Sequence, residues 1–544
     1  MDTVSQLDQD TSAALATIRE WRNSFIPINR VPLDVLSLIP THLSSNCDVF
    51  YASFVCRHWR RTFIQRAGLW SRLYVTMSKA DSYVKTLLER SKGSTLDIIA
   101  SRDSITLDPV CADLLALLSP HAQRIGKLDF VHNRWADVQE FSNVISGPLP
   151  LLRTLEMNII YESNQRGPAV MAPPSLPLFP GAINLKEFRL RSMGLPCLDH
   201  FIFPNLTTLE LSATPAGGFP GSRLLSFLEA SPTLWAIHIK IAADVLLGDV
   251  PLGRVVVLPN VETFDLTISR HGSGCNIAAH ISCPSARSTS LLYKQDADSP
   301  MSPEIFPTSV AWNAIACQYS ASPVNEVVLE IMTARGSIIT CSLTFLSPGP
   351  AVLVLGFEVI AGYGDEEDED DDGFEMPLEQ MYAEIFSQAS TTIRTHPLLA
   401  NVKRLRIRDK HMAIYFAKIT QIASAIEQLF KPMGPLDTLT LDVIDLQPYL
   451  APFLRRSGFR GMGRRYWFPP VKELTIVLPP QASAEREYFG ALEGLAKLQH
   501  TLGVPFERVT IHVKNPPLEV AGWLQPWVDA VHFCDEMPCA GDDG

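Results

Sequence analysis

A short hydrophobic pattern recurs along most of this chain. Its core is an apolar residue, two variable residues, an apolar residue, a variable residue and a further apolar residue. Copies occur at 150–157, 185–190, 204–211, 232–239, 259–266, 402–407, 436–441 and 471–476. The alternation inside each copy predicts a short β-strand with one buried face. Successive centres of the clearest copies, from Leu155 to Phe264, are 21 to 33 residues apart, which indicates a repeat architecture.

Repeats of this kind predict a sheet built from many similar units. One strand with its returning helix or loop cannot bury an apolar face alone, whereas stacked neighbours share a continuous core and a parallel sheet. The expected fold class is therefore mixed α/β, with a helical N-terminal module followed by an irregular leucine-rich-repeat solenoid. An ordinary α/β domain whose strands favour Leu and Ile is the alternative.

Polar residues at the outward positions of the predicted strands are the candidates for binding a partner. They include Arg189, Glu210, His238, Asp265, Arg406 and Thr440. This mixture has no dominant charge and no aromatic cluster, so it indicates no chemical class of partner.

Ahead of the repeats, residues 31–73 have the spacing of short amphipathic helices. Pro32 suits the first turn of a helix, whereas Pro40 should kink the first helix or end it early. Three groups of apolar residues define the helical segments: Leu33, Leu36, Ile39 and Leu43; Phe54, Val55, Trp59 and Phe63; and Leu69, Trp70 and Leu73. So many large apolar side chains in so small a unit indicate that a partner covers part of its surface.

This module resembles the F-box, by which substrate receptors dock on the Skp-family adaptor of a cullin–RING ubiquitin ligase. The family pattern is approximately Leu-Pro-x-Glu-Leu-Leu-x-x-Ile, a leucine four residues on, Val-Cys-(Lys/Arg)-x-Trp and Leu-Trp-x-x-Leu. The matching residues are Pro32, Leu36, Ile39, Leu43, Val55, Cys56, Arg57, Trp59, Leu69, Trp70 and Leu73. Asp34 replaces the usual glutamate, and Pro40 is a second departure. The resemblance implies an adaptor-binding set of Pro32, Leu33, Leu36, Ile39, Leu43, Val55, Cys56, Trp59, Leu69, Trp70 and Leu73.

The repeats in turn resemble the irregular leucine-rich repeats that follow an F-box in many fungal receptors. Together the two resemblances imply a non-catalytic substrate-recognition subunit that binds the adaptor, through it a cullin, and an unknown target protein. The alternative is a scaffold outside the ubiquitin system, in which the F-box-like bundle only caps the solenoid. A cap would bury Leu36, Ile39 and Trp59 against the repeats, whereas a docking module would leave part of that face in solvent.

These patterns divide the chain into a leading helix at 1–28, the F-box at 29–76, the solenoid at 77–530 and a flexible tail at 531–544. The leading helix has Leu7, Ala14, Ile18 and Trp21 available to pack on the F-box.

An acidic insertion is expected within the solenoid, at 362–376. Residues 365–372 are eight consecutive carboxylates, which repel one another and predict a solvated loop. A basic cluster, Arg455, Arg456, Arg460, Arg464 and Arg465, could pair with this loop or hold an acidic or phosphorylated partner.

Composition narrows the classes of function. The 544 residues are 46% hydrophobic and 19% charged, with a formal net charge of −12, which indicates a globular protein and disfavours broad nucleic-acid binding. The ten cysteines include no CxxC pair, so free thiols in a reducing compartment, the cytosol or nucleus, are expected. The polar first residues do not form a secretory signal, and the apolar stretch 351–360 is too short to span a membrane. Since the phosphate-loop, dinucleotide, zincin and hydrolase motifs do not occur, no catalytic residue, metal or cofactor is expected.

Overall fold

In the computed structural model, the alternating pattern produces a mixed α/β fold with an N-terminal helix and extensive parallel β-sheet. The structure describes residues 2–36, 38–42, 46–75, 81–101, 116–133, 135–145, 147–159, 178–179, 181–192, 198, 201–213, 219–241, 245–246, 250–251, 253–269, 277–278, 280–296, 326–334, 338–346, 352–360, 402–409, 435–443, 450, 470–478, 486–513 and 518–534. The chain divides into two compact units, Met1–Ala213 and Thr214–Gly544. Within the described residues, no helix combines the length and the apolar character that a membrane span needs.

Helices form much of the first part of unit 1. The α-helices are α1 (Asp2–Ser24), α2 (Leu33–Leu36), α3 (Asn46–Ser53), α4 (Arg57–Gln65), α5 (Asp81–Ser91) and α6 (Trp135–Val144), with 3-10 helices at Pro27–Arg30, Ile39–His42, Ala67–Trp70 and Ser119–Arg124. Helix α2 ends at Leu36, and Pro40 lies in the 3-10 helix that follows. This arrangement agrees with the expected effect of the proline.

Two details of the predicted helical module are wrong. The spacing predicts one helix through Phe54, Val55 and Trp59, but the first two lie in the turn before α4. The reason is Cys56, which lies at the N-cap position of α4 with an extended backbone (φ −159°, ψ 171°), so the helix begins only after it. Leu73, predicted in a third helical segment, lies instead on a strand of the sheet.

The leading helix is present as α1, but its predicted packing is wrong. Leu7, Ala14, Ile18 and Trp21 are all exposed, so none of them packs on the module that follows.

The strands of unit 1 pair in the order in which they occur along the chain. They are β1 (Arg72–Val75), β2 (Leu96–Ser101), β3 (Ile125–Asn133), β4 (Thr154–Ile159), β5 (Glu187–Ser192) and β6 (Thr208–Ala213), and each is parallel to the next. The register aligns one buried residue from every strand, in the row Leu73, Ile98, Leu128, Leu155, Phe188 and Leu209. The alternation in the sequence thus becomes a continuous apolar row, which confirms the predicted parallel sheet in this unit.

Unit 2 contains a longer set of strands and few described helices. Its helices are α7 (Gly221–Glu229), α8 (Arg486–Thr501) and α9 (Leu518–Leu524). Its strands are β7 (Phe219–Pro220), β8 (Ala236–Ile241), β9 (Val245–Leu246), β10 (Val256–Val257), β11 (Thr263–Ser269), β12 (Ile281–Ser282), β13 (Ser288–Asp296), β14 (Glu326–Ala334), β15 (Ile338–Leu346), β16 (Val352–Ile360), β17 (Arg404–Asp409), β18 (Leu436–Val443), β19 (Val471–Val477), β20 (Arg508–His512) and β21 (Val531–Cys534).

The large sheet of unit 2 is not parallel throughout. Its neighbours follow the order β8, β11, β13, β16, β15, β14, β17, β18, β19, β20, β21, and two small parallel pairs, β7–β9 and β10–β12, lie outside it. Among these described strands β15 alone is antiparallel to both of its neighbours. Connections of three and five residues join β14 to β15 and β15 to β16, which is too short for a parallel crossover.

The end of the described chain differs from the predicted boundary. Residues 531–544 are predicted to form a flexible tail, but Val531–Cys534 form β21 and pair in parallel with β20. The remaining residues of the predicted tail lie outside the described part of the chain.

Gly181 lies at a close approach between two loops of unit 1. A Cβ atom at this position would be 2.8 Å from the carbonyl oxygen of Gly147 and 2.8 Å from the Cα of Pro148. The Gly181 carbonyl also accepts a hydrogen bond of 3.1 Å from the Leu149 N–H, so the two backbones are held together where no side chain fits.

We expect Gly181→Ala to lower the free energy of unfolding by about 1–3 kcal/mol, because the added methyl group must displace backbone atoms. Gly93→Ala is the matched control, since its Cβ would meet nothing within 4 Å, and its effect should stay within about 0.5 kcal/mol. Urea unfolding followed by circular dichroism measures both variants, and equal unfolding midpoints would contradict the packing argument.

Candidate docking surfaces

The helical module has a small core that is anchored to the sheet through Trp70. Its indole Nε1 donates a hydrogen bond of 2.9 Å to the Phe63 carbonyl, and both side chains are fully buried. The Trp70 ring lies 5.0 Å from the ring of Phe50 and 4.6 Å from the guanidinium carbon of Arg90 on α5. This cation–π contact and the burial of Trp70 join the module to the first helix of the sheet region.

The residues implied for adaptor binding fall into groups that differ in exposure. Leu36, Trp70 and Leu73 are fully buried, so they can support a docking surface but cannot touch a partner. Four more are half-buried, namely Ile39, Cys56, Trp59 and Leu69, and three are exposed, namely Pro32, Leu33 and Val55. Leu43 lies outside the described residues.

Several large apolar side chains of the module project into solvent. We define the open apolar surface as Leu33, Val35, Leu38, Tyr51, Phe54 and Val55, all of which are exposed. Phe54 and Val55, in the turn before α4, are 64% and 60% exposed. Single exposed apolar residues are ordinary, but so many in one short module are typical of an interaction surface.

Asn29 connects α1 to α4 and was not identified from the sequence. Its Oδ1 accepts a hydrogen bond of 2.7 Å from Trp59 Nε1 and one of 3.9 Å from Cys56 Sγ. Its Nδ2 donates a 2.8 Å hydrogen bond to the carbonyl of Asn23. A single asparagine before the motif has no periodic signal, so its role depends on tertiary contacts that the sequence pattern does not contain.

A cavity of about 520 Å³ lies beside this hydrogen-bonded group. It is lined by Ala16, Arg19, Glu20, Asn23, Ser24, Asn29, Phe54, Cys56, Arg57, His58 and Arg60. Two of these lining residues, Glu20 and Arg57, have their charged groups 3.7 Å apart and form an exposed ion pair that adds little stability. The cavity is therefore lined by the polar side of α1 and by the start of α4.

A double-mutant cycle of Asn29→Ala and Trp59→Phe should give a coupling of about 0.5–1.5 kcal/mol in the free energy of unfolding, the net value of one such hydrogen bond. Chemical denaturation of the two single variants and of the double variant measures it. Strict additivity would show that the Asn29–Trp59 hydrogen bond does not stabilise the module.

The outward face of the unit 1 sheet carries a ladder of paired charges. Arg189 on β5 lies 3.1 Å from Glu156 and 3.6 Å from Glu210, while Lys127 lies 3.0 Å from Glu156 and Arg191 2.8 Å from Glu210. Parallel pairing in register sets neighbouring strands about 4.8 Å apart, which brings these long side chains together. The structure therefore brings the predicted residues Arg189 and Glu210 together, but they form an ion pair with each other.

The outward face of the unit 2 sheet places the other candidates in one register row. His238 and Asp265 are paired on neighbouring strands, with 2.6 Å between His238 Nδ1 and Asp265 Oδ2. Arg406 lies in the same row beside Thr440, but β13, β16, β15 and β14 separate it from the His238–Asp265 pair. The predicted residues of this unit thus form two separate groups.

Strand β17 carries three outward arginines, of which the sequence analysis singled out only one. Arg404, Arg406 and Arg408 alternate with the buried Leu405 and Ile407. Arg408 lies 3.9 Å from Asp442 on β18. The period-two spacing of arginine in 404–408 was the available signal, and it predicts a basic strip on one face.

Burial and charge change the acidity of Asp129 on the unit 1 face. Burial raises the pKa of its carboxyl above the ordinary value, and Glu156 adds to this effect, whereas Lys127, Arg72 and Arg189 oppose it. Since the folded protein holds the ionised carboxylate less well than water does, this position destabilises the fold at neutral pH.

We expect Asp129→Asn to raise the melting temperature at pH 7. A raised pKa penalises folding only when the carboxyl is ionised, so the advantage of Asn should shrink as the pH falls and vanish below about 4, the unfolded pKa. Asp437→Asn is a control of opposite sign, because the Lys472 hydrogen bond lowers the pKa of Asp437. Calorimetry at several pH values measures both, and a pH-independent difference for Asp129→Asn would contradict the argument.

The described residues give little indication of a nucleophile or of a metal site. Burial raises the pKa of the Cys283 thiol to about 12, so the nucleophilic thiolate is scarce at neutral pH. No group of three or more His, Cys, Asp or Glu side chains in the described part is arranged to hold a metal ion. The acidic run 365–372, its insertion 362–376 and the basic cluster Arg455, Arg456, Arg460, Arg464 and Arg465 lie outside that part.

Comparison with known proteins assigns no family to this chain. Neither a scan against protein-family models nor a search of the curated proteins finds a match. Function must therefore be inferred from the residues and their geometry.

Proposed function

We propose that this chain is the substrate-recognition subunit of a cullin–RING ubiquitin ligase. In this proposal residues 29–76 are an F-box that docks on a Skp-family adaptor, and residues 77–530 are an irregular leucine-rich-repeat solenoid that holds the target. The chain contributes no catalytic residue, because the adaptor assembly supplies the ubiquitin chemistry and the receptor supplies effective concentration. Such a receptor acts in the cytosol or nucleus.

The open apolar surface is the observation that carries this proposal. Leu33, Val35, Leu38, Phe54 and Val55 are exposed around a buried core of Leu36, Phe63 and Trp70. A docking module needs this combination, in which rigid buried anchors hold contact residues that lose solvent on binding. Trp59 is half-buried and fixed by Asn29, so it orients the start of α4 next to Val55.

The order of the strands supports the repeat part of the proposal within each unit. In unit 1 every strand is parallel to its predecessor in the chain, with one buried row and one polar row. In unit 2, once the small pairs β7–β9 and β10–β12 are set aside, successive strands pair in parallel for β8, β11 and β13 and again from β17 to β21. One strand per repeat with a shared core is the arrangement expected of a solenoid.

A scaffold in which the bundle only caps the repeats remains the second candidate. It is favoured by the continuity of the module with the sheet, since Leu73 of the motif lies on β1, which pairs with β2. Of the three side chains that a cap would bury, Leu36 is fully buried but Ile39 and Trp59 are only half-buried. Leu33 and Val55 are exposed, so part of the module's apolar surface is left in solvent, which disfavours the cap.

The target-binding face is proposed to be the polar side of the sheets. Arg404, Arg406 and Arg408 align on one strand of unit 2, where Arg408 lies 3.9 Å from Asp442. Guanidinium groups pair bidentately with carboxylates and phosphates, so an acidic segment of the target suits this strand best.

We expect Val55→Asp in the full chain to weaken adaptor binding more than tenfold, which corresponds to about 1.4 kcal/mol or more, because a carboxylate would be desolvated in the docked interface. The control is Ile202→Asp, an equally exposed apolar residue of unit 1 outside the module. Pull-down of purified adaptor with its cullin, followed by titration calorimetry, measures both variants.

Wild-type binding that is lost in Val55→Asp and in Trp59→Ala, but kept in Ile202→Asp, supports the receptor. Binding that survives both module variants excludes docking through this surface. A wild-type chain that binds neither adaptor nor cullin makes the scaffold the better assignment.

A further inference from the structure

Helix α1 carries an apolar seam that follows the heptad spacing of a coiled coil. The seam consists of Val4, Leu7, Thr11, Ala14, Ile18 and Trp21 on α1 and of Phe25 in the turn directly after it, at alternating intervals of three and four residues. All of them are exposed, and Trp21 is 66% exposed. A seam restricted to these positions is narrower than the apolar stripe with which a helix packs on a globular core.

The helix contacts its own module with the opposite side. Ala16, Arg19, Glu20 and Asn23 line the cavity beside α4, and none of these positions belongs to the seam. The polar side of α1 thus faces inward and the apolar seam faces away. A helix in a protein gains most of its stability from packing its apolar face, so the exposed seam of this 23-residue helix calls for a second helix.

We propose that α1 pairs with α1 of a second copy of this chain in an antiparallel coiled coil. Side-chain size selects this orientation. The register that sets Leu7 against Phe25 also sets Thr11 against Trp21 and Ala14 against Ile18, so each small residue meets a large one. A parallel pair in register would instead stack Trp21 on Trp21 and Ala14 on Ala14, which alternates clashes with voids.

The flanking charges select the same register. Asp8 and Arg22 flank the seam on one side, and in the antiparallel register each lies within two residues of the position opposite the other, which long side chains can bridge. Leu15, which is exposed, lies between them on the same side of the seam, one residue from the two-fold axis. Such a contact is isologous, so it closes as a dimer, and ion pairs at flanking positions fix orientation in coiled coils.

The mass of the full chain in solution, measured by light scattering after size-exclusion chromatography at several concentrations, tests the dimer. The wild type should be a dimer that dissociates on dilution, and Ile18→Asp should be a monomer throughout, because a carboxylate cannot be buried in the seam. The control Gln9→Asp adds the same charge on the far side of α1 and should remain dimeric. A monomeric wild type, or a dimer that Ile18→Asp leaves intact, overturns the proposal.

Cysteine cross-linking tests the orientation. A mixture of Leu7→Cys and Phe25→Cys chains should form a disulfide-linked dimer on mild oxidation, whereas Leu7→Cys alone should behave as the wild type. Efficient cross-linking of Leu7→Cys alone would indicate a parallel pair and overturn the antiparallel assignment. Both experiments are independent of adaptor binding, so the dimer and the proposed function can fail separately.

Discussion

Parallel pairing in register is the constraint on which the rest of the structure depends. A strand with one apolar face must meet the next strand at a matching residue, or the apolar row would turn outward. From Leu73 to Leu209 the register of unit 1 keeps this row continuous and buried. The same register aligns the polar rows on the other face, so the charge ladder around Glu156 and Arg189 follows from the core.

The helical module is joined to this sheet through Leu73 and Trp70, and large apolar side chains elsewhere on the module are exposed to solvent. Leu73 belongs both to the module and to β1, and Trp70 reaches Arg90 on α5. Once these anchors are buried, a module of about 45 residues has little interior left for further apolar side chains. Val55 and its neighbours therefore lie at the surface, where the proposed adaptor would cover them.

The sequence predicted the local structure of this protein better than it predicted the tertiary contacts. The strands at Leu155 and Phe188 follow from period-two alternation, which is a local property. The antiparallel β15 was not predictable from that alternation, because strand direction depends on the length of the connections. The separation of Val55 from the helix of Trp59 depends on the backbone of Cys56, and the role of Asn29 depends on a partner 30 residues away.

The two sides of α1 link the proposed receptor to the proposed dimer. The polar side lies along the cavity next to α4, so it fixes where the apolar seam points relative to the helical module. A pair of chains joined through this seam would present two docking modules and two target faces in one assembly. Linked sites raise the effective concentration of the second binding event without any new contact to the target. The charges on one sheet face of this receptor are largely paired with one another. Such a receptor could therefore gain avidity for its target by forming a dimer, without a stronger single site.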